Sequence, residues 1–427
     1  MKPAARIQSA IEILDQILQG DKPADTVLAD YFKTRRYAGS KDRRAVNNQV
    51  FDILRMQAKL GWMAEQAGLP LTGYTLVLID CVLKELDVTA LFNADQYSPQ
   101  SLDETQANAL PVLAQLDIRQ APDHIRLEYP VWLEGDLRAS LTTDFEQCLH
   151  ALNTEAPLDL RINNLHPEQA NSANILAQQN IDTTPGAYSP LCLRSAKKIK
   201  LGGIQAYKEG LVDIQDEGSQ LIALLSSAKG CDLVMDFCAG AGGKTLALGA
   251  EMANKGHLYA LDISSKRLYK MRRRLERAAI TNVILHPIKN ETDPWLKQFE
   301  SRVDRLLIDA PCSGIGAWRR SPESRWKMTP ELLADLQGRQ TRILQNAAPL
   351  VKPGGRLIYA TCSLLKRENE DQITHFLSEN PDFRVMPVAQ VWAQTLPTEC
   401  PFDGDFMIMR PDYHHSDGFF CAILERI

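Results

Sequence analysis

The chain has 427 residues, 44% of them hydrophobic and 24% charged, with a formal net charge of −5. That length predicts roughly two to three domains with ample core. The charge balance excludes a polycation, so any nucleic-acid binding has to come from local basic patches. Nine cysteines lie at scattered positions without a C-x-x-C spacing. Neither a zinc site nor a disulfide framework is therefore expected, no metal is assigned, and a reducing cytoplasm fits. Residues 1–16 are interrupted by Arg6, Glu12 and Asp15, which speaks against a secretory leader, and no apolar run approaches membrane-spanning length.

Residues 1–129 read as helical. Ile7, Ala10, Ile11, Leu14, Ile17 and Leu18 recur at helical spacing, as do Val50, Ile53, Leu54 and Leu60. Between these runs lie Lys33, Arg35, Arg36, Lys41, Arg43 and Arg44, with Tyr31 and Tyr37 nearby. The cluster suits a phosphate-contacting loop, and a solvated corner explains it equally well. The polar stretch 93–108 reads as an exposed loop. Residues 130–211 change to an α+β texture, with a strand over 158–163, a helix over 167–179 and a basic loop at 195–200.

Residues 212–427 alternate strand and helix. Strands are expected at 232–237, 257–263, 283–288, 305–309 and 356–360, and helices at 245–252, 266–279, 330–350 and 367–380. Thr329 and Pro330 open the third of these helices as N-cap and first helical residue. Such alternation predicts a Rossmann-like α/β core with a doubly wound, mostly parallel sheet. It would be preceded by the small α+β subdomain and the N-terminal helical domain.

A glycine-rich turn, Asp236-Phe-Cys-Ala-Gly-Ala-Gly-Gly-Lys-Thr245, joins the first of these strands to its helix. Glycines there let backbone approach a ligand, and the helix N-terminus offers N–H groups to an anion. A Walker A loop fails because Cys238 stands where its first glycine belongs, and a dinucleotide fingerprint is weakened by Thr245 at its third. The remaining reading is an S-adenosylmethionine loop built on D-x-x-x-G-x-G. It makes Cys238, Ala239, Gly240, Ala241, Gly242, Gly243 and Lys244 cofactor-binding, with Asp262 placed at the next strand end for the ribose hydroxyls.

Two strand ends each deliver a Cys-Ser pair, in Asp309-Ala-Pro-Cys-Ser-Gly314 and Tyr359-Ala-Thr-Cys-Ser363. Open α/β sheets place their ligands at such ends. Carbon 5 of a pyrimidine is a poor nucleophile until a thiolate adds to carbon 6, after which carbon 5 can take an electrophilic methyl group. That is covalent catalysis, and it needs an attacking cysteine, a group to stabilise the added ring and a base for elimination. Asp309, Cys312 and Cys362 supply candidates, provided the fourth and fifth strands neighbour the first. Methylation of an exocyclic amine remains an alternative, although it does not need two thiols.

With these segments, Gln215-Asp-Glu-Gly-Ser-Gln220, Glu368-Asn-Glu370 and Asp417-Gly-Phe-Phe420, the sequence resembles the RsmB/Sun/NOP2 family of RNA cytosine-5 methyltransferases. The resemblance runs from about residue 130 to the C-terminus. It implies a class I methyltransferase core with S-adenosylmethionine as cofactor. It further implies Cys362 as the residue attacking carbon 6, Cys312 as the one assisting product release, Asp309 as the contact to cytosine and cofactor, and Lys244 as reaching the active site. Gly240 and Ala241 depart from the family's usual Ala-Pro. Asn290 occupies roughly the place of its usual adenine-contacting acid, which makes it a cofactor-binding candidate. Residues 1–129 loosely resemble a NusB-like RNA-binding extension, and Leu160-Arg-Ile-Asn163 matches the family's subdomain strand.

RNA is the expected partner, rRNA ahead of tRNA, for a monomeric protein. Arg319, Arg320 and Arg325, interleaved with Trp318 and Trp326, suit phosphate contact and base stacking. The basic run 266–277 reads instead as the solvated face of an amphipathic helix. An RNA-binding assembly factor with a retired site is the competing class of function, against which stands the survival of Lys244, Asp309, Cys312 and Cys362 together.

Overall fold

The computed structural model describes residues 1–195, 199 and 201–427. Apart from its first residue and Ile199, the basic loop expected at 195–200 lies outside the described residues. The chain forms two compact units. One comprises residues 1–138, 142–154 and 318–329, and the other residues 139–141, 155–317 and 330–427.

The first unit is helical. Helices Pro3–Gln19, Ala24–Thr34, Ser40–Arg55, Gln57–Gln66, Gly73–Leu83 and Glu104–Gln115 surround one apolar core. Ile7, Ile11, Leu14 and Ile17 form the buried stripe of the first helix, as their spacing predicts. Helix Gly73–Leu83 is tied at its start by Asp15 Oδ1, which accepts the Gly73 N–H at 2.7 Å, and by Thr72 as N-cap. The stretch 93–108 is not loop throughout, because Asp103 and Gln106 form a capping box that starts Glu104–Gln115 inside it. Helices also continue past residue 129 as far as Phe145–Leu152.

The segment 318–329 belongs to this helical unit, and here the expectation of an RNA surface fails. Arg325 is fully buried, its Nη1 donating to Glu128 O at 2.7 Å and Asn153 Oδ1 at 2.5 Å, with the guanidinium 4.8 Å from the Trp318 ring. Arg319 and Trp318 are buried as well, and Arg320 is half-buried. Lys327 Nζ donates to Gly20 O and Lys22 O. Arg325 is therefore a structural cation, turned into its own unit.

In the second unit, a small antiparallel sheet comes first, made of β1 (Leu158–Ile162), β2 (Thr184–Pro185), β3 (Cys192–Ser195) and β4 (Val212–Ile214) in the order β2-β3-β1-β4. Asn163, just past β1, donates from Nδ2 to Gly210 O and Ala278 O, both at 2.9 Å, which pins this sheet to the end of helix Ser265–Arg277. The larger sheet contains β5 (Leu233–Asp236), β6 (His257–Asp262), β7 (Val283–Pro287), β8 (Val303–Asp309), β9 (Val351–Thr361), β10 (Phe383–Val385), β11 (Met407–Met409) and β12 (Phe419–Arg426). Its order is β10-β12-β9-β8-β5-β6-β7, with β11 paired to β12. Strands β5 to β9 are mutually parallel, while β10, β11 and β12 pair antiparallel. Strand order reverses at β5, so the ligand crevice opens at the C-terminal ends of β5, β6 and β8. The fourth strand neighbours the first, as expected, but the fifth does not: β9 lies beyond β8.

Lys352-Pro-Gly-Gly, which reads as a helix-ending turn, instead lies within β9. The ladder between β8 and β9 shifts register there, pairing Val303 with Val351 and then Arg305 with Arg356. The extra residues form a bulge, with Gly354 at φ +74, the conformation that favours glycine. Among the described residues no helix is long and apolar enough to cross a membrane.

Candidate active site

The glycine turn folds as its composition requires. Gly240 and Gly242 take φ +54 and +86, and a Cβ at Gly242 would collide with Met271 of the neighbouring helix. Asp236, ending β5, accepts a hydrogen bond from Thr245 Oγ1 at 2.6 Å. Its other oxygen, Oδ1, is buried without a hydrogen-bond partner among the described residues. Burial pushes this carboxyl up to about 7. Asp262, ending β6, accepts the Gly240 N–H at 2.9 Å and the Ser264 N–H at 2.7 Å. It thus braces the loop, and each oxygen retains a lone pair for a ribose hydroxyl. Asn290, beyond β7, is exposed and folds back on Thr292 as an Asx turn, while Glu291 pairs with Arg342.

A methyl donor with a sulfonium centre, an amino-acid end and a ribose diol fits this donor set. Three carboxylates, Asp236, Asp262 and Asp309, end strands at the crevice, and one has an unused buried acceptor. The helix Gly243–Glu251 begins at the loop with its N–H groups directed at it.

Lys244, in that helix's first turn, is buried and pairs with Asp309 Oδ2 at 2.7 Å. Burial alone would favour the neutral amine. The charge and hydrogen bond of Asp309 outweigh it, so the ammonium is held above its ordinary range. The ammonium also lies 5.8 Å from the Phe419 ring at the start of β12. Opposite, the two Cys-Ser turns meet: Cys312 Sγ and Cys362 Sγ are 3.4 Å apart. That is a thiol contact, well beyond the roughly 2.05 Å of a disulfide, and both cysteines are free. The hydrogen bond to Cys362, then burial, then the charges of Cys362 and Glu368 drive the Cys312 thiol well above the ordinary cysteine range. Cys238, in the loop, is also pushed well up, by burial first and then by Asp309, Asp236 and Asp262.

The structure thus gathers Lys244, Asp309, Cys312 and Cys362 at one end of the sheet, and Cys238–Gly243 with Asp262 beside them. Several partners carry a motif signal in the sequence but no role that it reveals. Gly418 packs backbone to backbone on Gly316, which leaves no room for a side chain at either position, and its N–H donates to Gly316 O at 2.9 Å. This explains why Asp417-Gly-Phe-Phe420 accompanies the first Cys-Ser turn. In Gln215–Gln220, Asp216 accepts from Ser416 Oγ and the Asp417 N–H, and Glu217 accepts the N–H groups of Tyr188 and Ser189. Glu217, Asp159 and Cys192 come close enough to hold a metal ion, but Arg194 fills the space, pairing with Asp159 at 2.7 Å and Glu217 at 3.2 Å.

A family model described as 16S rRNA methyltransferase RsmB/F matches residues 223–425, and a model for its ferredoxin-like domain matches residues 129–201. The chain is 30% identical to a ribosomal RNA small subunit methyltransferase B of Pasteurella multocida, with 92% of this chain and 93% of that protein covered. It is 29% identical to a probable ribosomal RNA small subunit methyltransferase B of Synechocystis, over 98% and 99%. Its fold matches the crystal structure of PH0851 at a TM-score of 0.78, 24% identity and coverage of 98% and 99%. It also matches a methyltransferase homolog from Pyrococcus horikoshii at 0.61 and 25% identity, over 71% and 97%. The ferredoxin-like match begins at residue 129, whereas helices persist to Leu152 before β1 begins. The chain belongs to the RsmB/F family of S-adenosylmethionine-dependent ribosomal RNA methyltransferases.

Proposed function

We propose that the protein methylates carbon 5 of a cytosine in small-subunit rRNA through a covalent adduct at carbon 6. The observation that carries this reading is the contact of two thiols, 3.4 Å apart, at the ends of adjacent parallel strands. Simple transfer to an amine has no use for that pair. Cys362 adds as thiolate to carbon 6, which makes carbon 5 nucleophilic. The 238–244 loop, Asp262 and Asp309 would hold S-adenosylmethionine, which would supply the methyl group. Asp309, oriented by Lys244, hydrogen-bonds the cytosine ring as its electrons shift. A base then takes the carbon-5 proton, and the Cys362 thiolate leaves. Cys312, which keeps its own proton, donates its S–H to that departing sulfur.

The cytosine must be unstacked to reach a buried thiol, so a single-stranded or splayed nucleotide is the substrate. Exposed cations support two RNA-contacting faces. In the second unit, helix Ser265–Arg277 buries Leu268, Met271 and Leu275, which leaves Lys266, Arg267, Lys270, Arg272 and Arg273 exposed beside Tyr269. In the helical unit, Arg36, Lys41 and Arg44 are exposed beside Tyr37, itself 70% exposed. The other cations of that cluster are engaged: Lys33 pairs with Asp30, Arg35 with Glu12, and Arg43 donates to Ala38 O.

Trapping the adduct tests the reading. Cys312→Ala should accumulate a protein–RNA complex that survives denaturation, Cys362→Ala should form none, and bisulfite sequencing of 16S rRNA should show one cytosine losing protection without the protein. Normal turnover by Cys362→Ala would remove the assigned nucleophile.

A further inference from the structure

The two Cys-Ser turns come from loops fifty residues apart, yet a single side chain holds both. Glu368, fully buried, accepts the Ser313 N–H at 2.8 Å through Oε1 and both serine hydroxyls, Ser313 Oγ and Ser363 Oγ, at 2.5 Å through Oε2. The two hydroxyls also touch each other at 3.2 Å. Gln340 braces the same point, its Nε2 donating to Glu368 Oε1 at 3.0 Å and to Pro311 O at 2.9 Å. From below, Tyr359 donates its hydroxyl to Glu368 O at 2.7 Å. All of these donors to the carboxylate are neutral: a backbone N–H, two hydroxyls and an amide. Burying a carboxylate among neutral donors is costly compared with an apolar filler of the same shape, so stability alone does not account for it.

We infer that Glu368 is a positioning residue for catalysis: one buried carboxylate ties the serine of each Cys-Ser turn and so holds the two sulfurs in contact. The inference rests on the covalent-cysteine reading for its catalytic meaning, while its geometry stands without it. Each serine immediately follows its cysteine, so fixing the serine fixes the direction in which the preceding thiol leaves the turn. Ser363 is held a second way, its carbonyl accepting from Asn369 Nδ2 at 3.0 Å, the residue next to Glu368. Glu368-Asn369 therefore reaches both cysteines from one corner. The negative charge of Glu368 also adds to the forces that keep the proton on Cys312.

The sulfur contact can be read directly by oxidation. Diamide joins neighbouring thiols, two S–H bonds giving one S–S bond while the reagent takes up both hydrogens. In the full-length protein, peptide mapping should show the Cys312–Cys362 cross-link forming rapidly. Glu368→Ala should slow it by at least about tenfold, since a displacement of about 1 Å is enough to lose such an alignment. The Ser313→Ala/Ser363→Ala double variant, which keeps the carboxylate, should slow it comparably. Glu368→Gln, which keeps the shape, can accept through its oxygen where Oε1 did and donate its amide N–H groups to the two rotatable serine hydroxyls, and it should cross-link within about threefold of wild type. S-adenosylmethionine affinity should stay unchanged in all of them, with turnover on RNA falling in kcat and not in KM for Glu368→Ala. Wild-type cross-linking rates in both Glu368→Ala and the double serine variant overturn the clamp. Slowed cross-linking upholds it even if no RNA adduct ever forms, and that second failure would count against cytosine chemistry alone.

Discussion

Residues 318–327 and helix Ser265–Arg277 each string arginines and lysines beside aromatic rings, and the structure uses them in opposite ways. In the first, Arg325 is sealed against Glu128 O, Asn153 and Trp318. In the second, five cations face solvent. The difference lies in what stands between the charges. Leu268, Met271 and Leu275 recur at helical spacing and bury one face, which forces the cations to the other. The segment 318–327 has no such period, and Arg325 and Lys327 donate to carbonyls that would otherwise go unpaired. Within the basic helix the same rule divides the residues again. Arg274 and Arg277 sit next to the apolar stripe and both pair with Asp213 of β4, and Arg274 also donates to Ala241 O of the glycine turn. Charge density in a sequence therefore says little about exposure until periodicity is read with it.

The largest effect that sharpens this contrast is on stability. Arg325→Met should cost the helical unit about 3–5 kcal/mol, because it strands two buried acceptors and removes a cation beside the buried Glu128. Arg272→Met should leave the unfolding curve unchanged. Denaturant unfolding followed by tryptophan fluorescence measures both, and an Arg325 variant as stable as wild type would sink the view of it as a structural cation.

The next effect is on RNA. Reversing Lys266, Lys270, Arg272 and Arg273 to Glu should weaken RNA binding roughly 100-fold. It should also lower the slope of log affinity against log salt by about 3, since each phosphate neutralised on a single strand adds about 0.7 to that slope. S-adenosylmethionine binding, measured by calorimetry, should not move. If RNA affinity and slope are unaltered, the face is merely solvated.

Much of the catalytic unit is legible from sequence because parallel strands buried on both faces give apolar runs that end in chemistry-bearing residues. Asp236, Asp262, Asp309 and Cys362 are all found at or just beyond the strand ends where the pattern puts them. Beyond residue 380 the signal fades. β10 and β11 have three residues each, too few to show a period, and Phe419–Leu424 of β12 is an unbroken apolar run that fits a buried helix as well as a strand. Glu368 is visible in sequence as part of a motif, but its role is not. Nothing local reveals that a carboxylate five residues past Ser363 also reaches Ser313, fifty-five residues before it. Arg325 misleads for a related reason: its acceptors, at Glu128 and Asn153, lie about two hundred residues away along the chain.

A smaller effect separates the cations of the N-terminal cluster. Arg36→Glu/Lys41→Glu/Arg44→Glu should weaken RNA binding about tenfold and lower the salt slope by about 2. Arg35 should behave differently. Its guanidinium stacks 3.7 Å from the Tyr31 ring and bonds Glu12, so Arg35→Ala should lower thermal stability more than RNA affinity. Filter binding across a salt series, run beside thermal melts, tells the two classes apart. Equal RNA losses from Arg35→Ala and the triple variant would erase the distinction.

The smallest effect is a pH dependence next to Arg325. Glu128 is fully buried, accepting the N–H groups of Ala58 and Lys59 at 2.8 and 3.0 Å. Burial dominates those bonds and the nearby Arg325 charge, and raises the carboxyl from 4.5 to about 7. A carboxyl whose folded value exceeds its unfolded one binds more protons in the fold between the two. Its contribution to stability is therefore fully present below about 4.5 and is lost as pH rises to about 7. Glu128→Gln abolishes that titration without changing the shape. The melting temperature of wild type relative to Glu128→Gln should thus fall by about 2–4 °C between pH 5 and pH 7.5. In an Arg325→Met background, where the cation no longer favours the carboxylate, the same decline should continue to higher pH. A gap between the two proteins that stays constant with pH would mean Glu128 is ionised throughout, making Arg325 half of a buried ion pair and not a lone structural cation.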